Sequence, residues 1–231
     1  MVDLIPLRKK FKYATLQRQD LPEGRRYVYG EQKLPSVTTI LSATKSNKEA
    51  LDAWVARVGQ EEADRVKNEA ALVGTYMHEV IERMVAYRDL PRPTNWEMCK
   101  GYEMGYRLIN TFFKNIDEIW GSEVALYYPE KYAGTTDLVG LYRGKPAIID
   151  FKQSNKPKKR QWIEDYFCQL AAYALAHDHL HGTTIDNAVV LMAVRDGSTV
   201  EFSTAGREFQ GYKDMWMRRV DEFHESLAKG E

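Results

Sequence analysis

Residues 134–152 run GTTDLVGLYRGKPAIIDFK, and two strands with a turn between them can be read from that stretch. Gly134 to Arg143 is β-prone, and Pro146 to Phe151 is an apolar run that ends in charge. Arg143-Gly144-Lys145 supplies the hairpin turn. Asp150 and Lys152 alternate around Phe151, so both project from one face of a strand. Asp137 is expected just after a glycine turn at Gly134. A turn centred on Gly144 and Lys145 sets Asp137 opposite Lys152 and Val139 opposite Asp150. The two carboxylates then lie on one face as diagonal neighbours, roughly 7–8 Å apart or less. Such a group is also what a surface salt-bridge cluster contains. Charges closing the apolar run Ala147-Ile148-Ile149 are expensive to place without a purpose, however. Two acids and an ammonium suit a hard divalent cation, a water and a phosphate, the parts that phosphodiester hydrolysis requires.

Upstream, Tyr13 to Leu16 and Arg26 to Tyr29 are β-prone around Pro22-Glu23-Gly24 and read as a hairpin within residues 11–30. Ser36 is a helix N-cap candidate, followed by helical patterns over about 48–58 and 61–87. The breaker Asp89 to Asn95 separates these from a helix over about 96–120. Strands at 123–128, 134–143 and 146–151 precede a helix over 162–179. Strands at 187–194 and 199–203 and a helix over 205–227 complete the order. The expected class is α/β (α+β), with a mixed central sheet flanked by helices and an N-terminal helical lobe. Its expected parts are an N-terminal hairpin or extension (1–35), a helical lobe (36–120) and a core (121–231).

Other side chains gather around the two acids. His78 shares a helix face with Gly74, which is expected to let the helix approach the sheet. With the carboxylates, His78 makes a credible third metal ligand; alone it reads as a surface or capping histidine. Gln169 and Tyr173 lie one turn apart and project together, either as a core face or toward the site. Lys152, Lys156, Lys158, Lys159 and Arg160 are five basic residues in a stretch with no acid. A charge run by itself is a solvated face, but this one starts at the proposed site and suits phosphate. His177, His179 and His181 end a helix, where imidazolium suits the dipole.

The 231 residues carry 33 basic and 33 acidic side chains, so net charge gives no hint of nucleic acid. The two cysteines, Cys99 and Cys168, fit neither a disulfide framework nor a zinc site and read as reduced thiols. No run of about 18 apolar residues exists to span a membrane. The N-terminus does not read as a secretory signal, which points to the cytoplasm.

Gly74-x-x-x-His78, Gly134-x-x-Asp137, Asp150-Phe151-Lys152 and Gln169-x-x-x-Tyr173 fall in the order of the RecB-type branch of the PD-(D/E)XK nucleases. Leu34 to Thr38, Asp150 to Lys158 and Val194 to Ser198 further resemble the mitochondrial genome maintenance exonucleases and their phage and bacterial relatives. The resemblance runs from about residue 34 to 225. It implies a PD-(D/E)XK core that hydrolyses DNA from a free end, with single-stranded DNA as the preferred substrate, in replication, repair or recombination. By it, His78, Asp137, Asp150 and the carbonyl of Phe151 would hold one or two Mg²⁺ or Mn²⁺ ions, and Lys152 would be the catalytic lysine. Glu123 matches an additional acid of many relatives. Gln169, Tyr173 and the basic side chains of Lys156, Lys158, Lys159 and Arg160 would meet the DNA. Residues 48–120 would form the lobe under which the strand threads. Two cysteines cannot supply the iron–sulfur cluster of some relatives, and without a Walker A sequence any helicase motor must be a separate chain. The patterned segment begins almost at once, at about Phe11, leaving little to cleave as a transit peptide. A bacterial or phage-infected cell is therefore expected rather than a mitochondrion. A structure-specific endonuclease and a nucleic-acid-binding module with a dead site remain as alternatives.

Overall fold

The computed structural model describes Arg8, residues 10–45 and residues 48–230. Residues 1–7 and Lys9 of the expected N-terminal extension lie outside the described residues. The first elements are β1 (Gln17–Leu21), β2 (Gly24–Tyr29), β3 (Gln32–Pro35) and α1 (Val37–Ala43). Three more helices follow: α2 (Lys48–Val58), α3 (Gln60–Val85) and α4 (Trp96–Phe112). Then come β4 (Ile116–Tyr128), β5 (Tyr132–Tyr142), β6 (Lys145–Ser154) and α5 (Glu164–His181). The chain closes with β7 (Asn187–Val194), β8 (Thr199–Ala205) and α6 (Gly206–Lys229). β1, β2 and β3 form a small sheet, and β4 to β8 form a mixed sheet in chain order. Only β6 and β7 run parallel in the larger sheet, as the α5 crossover between them requires.

β7 is buried along its whole length, which explains its unbroken apolar sequence. Ala188, Val190, Met192 and Val194 face the cluster built with α1, α5 and α6. Val189, Leu191 and Ala193 face the opposite cluster, with Val73, Met77 and Val80 of α3 and Met104 and Leu108 of α4. Of the helices in the expected lobe, α3 and α4 thus cover one face of the sheet, while α1 packs in the opposite cluster. Gly101 and Gly105 of α4 let α3 come close. A Cβ at Gly101 would lie 2.5 Å from the Cβ of Tyr76, and one at Gly105 would lie 3.0 Å from the Met77 carbonyl.

Three expectations change. α4 stops at Phe112, and residues 116–120 belong to β4 rather than to a helix. Ile116, Ile119 and Trp120 are buried at helix-like spacing because irregularities at Ile116/Glu118 and Ile119/Gly121 interrupt the strand's alternation. The N-terminal hairpin pairs residues 17–21, not 13–16, with β2 and gains a third strand, which short length and a closing proline had hidden. The β5–β6 turn is Arg143-Gly144, with φ of 48° and 74°, the left-handed pair that a two-residue hairpin turn needs. Val139 therefore pairs with Ile148, two residues away from the expected register. A shift of two keeps every side chain on its expected face.

Replacing Gly101 with Ala is expected to lower stability by about 1–3 kcal/mol, through overpacking against Tyr76 and the Val73 carbonyl. Gly74→Ala is expected to gain up to about 1 kcal/mol, because its methyl would sit 3.7 Å from Gln153 Cγ, an ordinary contact. The close approach expected to require Gly74 is absent. Denaturant midpoints of the two variants check both signs.

Candidate active site

β5 and β6 stop pairing at Leu138 and Ile149, while β6 continues on β7 as far as Ser154 and Val194. Where the two strands part, Asp137 substitutes for the missing ladder partner: its Oδ2 accepts the Phe151 N–H at 2.8 Å. Asp150 and Lys152 come next on β6, and the Lys152 ammonium donates to Asp150 Oδ1 at 2.6 Å. Asp150 is 3% exposed, and its Oδ2 also lies 2.6 Å from the Lys152 ammonium. α3 brings His78 to this cleft, with Nδ1 3.6 Å from Asp137 Oδ2, beyond hydrogen-bond reach. Glu123 arrives from β4 with φ of 51°, the left-handed region that a side-chain-bearing residue seldom adopts. Strain of this kind collects at functional positions. His78, Glu123 and Asp137 each offer a ligand atom within 4.8 Å of the others.

Crowded carboxylates shift one another. Desolvation, reinforced by Asp137, Glu82 and Asp150, pushes Glu123 up to about 8 although its side chain is exposed at the cleft mouth. Desolvation also raises Asp150, outweighing the pull of Lys152, and Asp137 adds to the rise. For Lys152 desolvation works downward, but Asp150 and Asp137 more than offset it and hold the ammonium above its ordinary value. The ammonium also lies 5.2 Å from the centre of the Tyr166 ring. Tyr166 was missed in the sequence. Its signal was its position one turn before Gln169, on the face that Gln169 shares with Tyr173. Glu82, one turn beyond His78, was missed as well.

A cavity of about 670 Å³ contains His78, Glu123, Asp137, Lys152, Gln169 and Tyr173 among its walls. Gly134 lies inside β5 rather than in a turn, and a Cβ there would come 2.8 Å from Cε1 of Tyr173. The Tyr173 ring is thus seated on bare backbone three residues before Asp137. It is 4% exposed, and its hydroxyl accepts from the Gln169 amide at 3.5 Å. Both residues reach the site, with Tyr173 as a buttress of β5. The basic run lies to one side. Lys156 and Lys158 line a neighbouring hollow of about 390 Å³ with Gln153 and Trp162. Lys159 lies 5.5 Å from the Trp162 ring centre. Arg160 is tied to Glu208 at 2.8 Å and to the Ser203 carbonyl, which gives it a structural partner.

Two histidines near the end of α5, His177 and His181, are pushed away from the charge expected of them. His177 is fully buried, and desolvation first, then His181 and Lys10, push it down to about 3. Its Nδ1 lies 2.8 Å from Thr183 Oγ1, and its Nε2 lies 3.2 Å from the Tyr13 hydroxyl. Desolvation lowers His181 too. Both cysteines are free thiols, Cys99 exposed and Cys168 buried.

No family model matches this chain. Among curated proteins it is similar to mitochondrial genome maintenance exonuclease 1 of Homo sapiens, with 26% identity over 206 residues covering 83% of this chain and 58% of that protein. The Xenopus tropicalis protein of the same name is 28% identical over 211 residues, covering 86% and 59%. The chain thus spans about three fifths of the length of the curated relatives it matches. A solved Eubacterium rectale structure overlaps 66% of each chain with a TM-score of 0.48 and 14% identity. The relatives carry the mitochondrion in their names, so the expected bacterial or cytoplasmic setting draws no support from them. Among the described residues no helix is long and apolar enough to cross a membrane.

Glu123 keeps its proton up to about 8 in the folded protein, whereas its ordinary value is 4.5. Folding takes up that proton between the two values, so stability without metal falls as pH rises toward 8. Neutral, buried His177 opposes this only below its ordinary value of 6.5. In a chelator the melting temperature is expected to drop between about pH 6.5 and 8, and Glu123→Gln should flatten that slope. Melting curves of both proteins across the window check it.

Proposed function

We propose that this chain is a divalent-metal-dependent DNA exonuclease with a PD-(D/E)XK core. The observation that carries the reading is the convergence of His78, Glu123 and Asp137 within 4.8 Å, beside the Asp150–Lys152 pair. The names of the curated relatives support it. The donor set fits a hard cation: oxygen predominates with one imidazole, and the carboxylates are held against their mutual repulsion. His78, Asp137 and Asp150, with Glu123 and the Phe151 carbonyl, would hold one or two Mg²⁺ or Mn²⁺ ions. A bound ion supplies charge neutralisation at the phosphate and a water of lowered pKa.

The protein's own groups do the rest. Lys152, kept charged by Asp150 and Asp137, offers an ammonium to the negative charge that develops on the attacked phosphate. Asp150 holds that ammonium in place, and Tyr166 flanks it. Asp137 ties its carboxylate to the β6 backbone, which fixes the distance between the strands at the site. Gln169 and Tyr173 keep β5 in position, and Lys156, Lys158 and Lys159 are available for backbone phosphates beyond the cleft. The substrate is single-stranded DNA entered from a free end, with α3 as one wall of its path. Its place is in DNA replication, repair or recombination.

End-labelled linear DNA should be shortened with Mg²⁺ or Mn²⁺ and survive in EDTA, while a closed single-stranded circle should persist throughout. Lys152→Ala is expected to cut the rate by on the order of 10²–10³-fold with little change in DNA affinity. A linear strand left intact with both metals, or full activity in that variant, overturns the reading.

A further inference from the structure

The small sheet β1–β3 received no role from the sequence, yet it forms a wall of the cavity that holds the acids. Arg18, Arg25 and Tyr27 line that cavity together with His78, Asp137 and Lys152. Resting on the nuclease reading above, we infer that Arg18 and Arg25 form a phosphate-binding subsite for the nucleic-acid strand, separate from the metal site and from the basic run at 156–160.

Three observations carry this. First, the guanidiniums are pre-positioned by one shared acid. Arg18 donates to Asp20 at 3.0 and 3.2 Å, and Arg25 donates to it at 2.8 Å. Two cations on one carboxylate leave a net positive charge, and the planar fork of each arginine suits a phosphate oxygen pair.

Second, the backbone that carries Arg25 is fixed. Its carbonyl accepts from the Ser36 N–H at 2.9 Å and from the Thr39 hydroxyl at 3.0 Å. Gly24 beside it leaves no room for a Cβ, which would fall 2.6 Å from Thr39 Cγ2. Tyr27 is buried, and its hydroxyl lies 3.3 Å from Thr135 Oγ1, two residues from Asp137, so the sheet is tied to β5 beside the site.

Third, the cavity is divided by charge. Glu79, Glu82, Glu123 and Asp137 make part of its wall repulsive to a phosphate backbone that is not screened by metal. Lys156 and Lys158 line the adjoining hollow, which shares Ala70 with the cavity. A strand crossing the acids therefore needs a cationic hold on the β1–β3 side, and Arg18 and Arg25 are the arginines lining the cavity there.

The test is the salt dependence of binding, read by fluorescence anisotropy of a labelled single-stranded oligonucleotide in EDTA across a KCl series. Each phosphate contact on a single strand contributes about 0.7 to the slope of log K against log salt. Arg25→Gln is expected to lower the slope by about that amount and to raise KM in the Mg²⁺ assay. Arg26→Gln, the same charge change on the next residue, should leave the slope unchanged. Asp20→Asn keeps an acceptor oxygen for the guanidiniums while removing the negative charge beside them, and should tighten binding, the opposite of what a misfolded sheet would give. Melting curves confirm that each variant folds. Equal slopes for the Arg25 and Arg26 variants, or weaker binding by a folded Asp20→Asn protein, overturn the subsite. Failure of the nuclease reading looks different: the unaltered chain cleaves with neither metal, whatever the slopes show.

Discussion

Everything at the candidate site depends on the parting of β5 from β6 after Leu138 and Ile149. A ladder that continued would place Asp137 among paired strands and close the cleft. Instead the Asp137 carboxylate takes the Phe151 N–H and spans the gap. A buried backbone N–H left without a partner costs about 1–3 kcal/mol, so this one acceptor makes the opening tolerable. The opening then brings Lys152, with Asp150 buried beside it, to the cavity, while β7 pairs along the other edge of β6.

Two apolar layers keep that opening in shape. α5 holds β5 through the Tyr173 ring on Gly134, and α3 sets His78 opposite. α3 is held in turn by α4, whose glycines permit close packing, and by the Val73, Met77 and Val80 stripe against Ile149, Phe151 and Leu191. The carboxylates work against this arrangement. Desolvation and like charge raise both Glu123 and Asp150, and Lys152 is the counter-charge within hydrogen-bond reach of Asp150. The fold supplies the energy that holds them together, and such perturbed carboxylates cluster at functional sites.

Much of this was legible in the chain. The apolar run of β7, the Asp150-Phe151-Lys152 ending of β6 and the helical spacing of α3 each report a local period, and each element appears where its period placed it. The residues 116–120 misled, because two irregularities in β4 bury Ile116, Ile119 and Trp120 at intervals that imitate a helix. The β5–β6 register was two residues off, since a turn of Arg143-Gly144 is one of several that the same letters allow. Glu123 gained its place through a backbone conformation that no propensity indicates. Tyr166, Glu82, Arg18 and Arg25 were passed over because each belongs to a local pattern that is ordinary by itself.

The sequence by itself determined the α/β class, the order of elements and which side chains share a face, because these follow from periods of 2 and 3.6 residues and from turn chemistry. It also marked Asp137, Asp150, Lys152, His78, Gln169 and Tyr173 as a set. Only the tertiary structure decided that Glu123 stands nearer to His78 and Asp137 than a linear pattern tells, that α3 and α4 cover one face of the sheet, and that the small N-terminal sheet walls the cavity. These are outcomes of long-range packing, in which residues a hundred positions apart settle one another's surroundings. A local pattern carries no record of that.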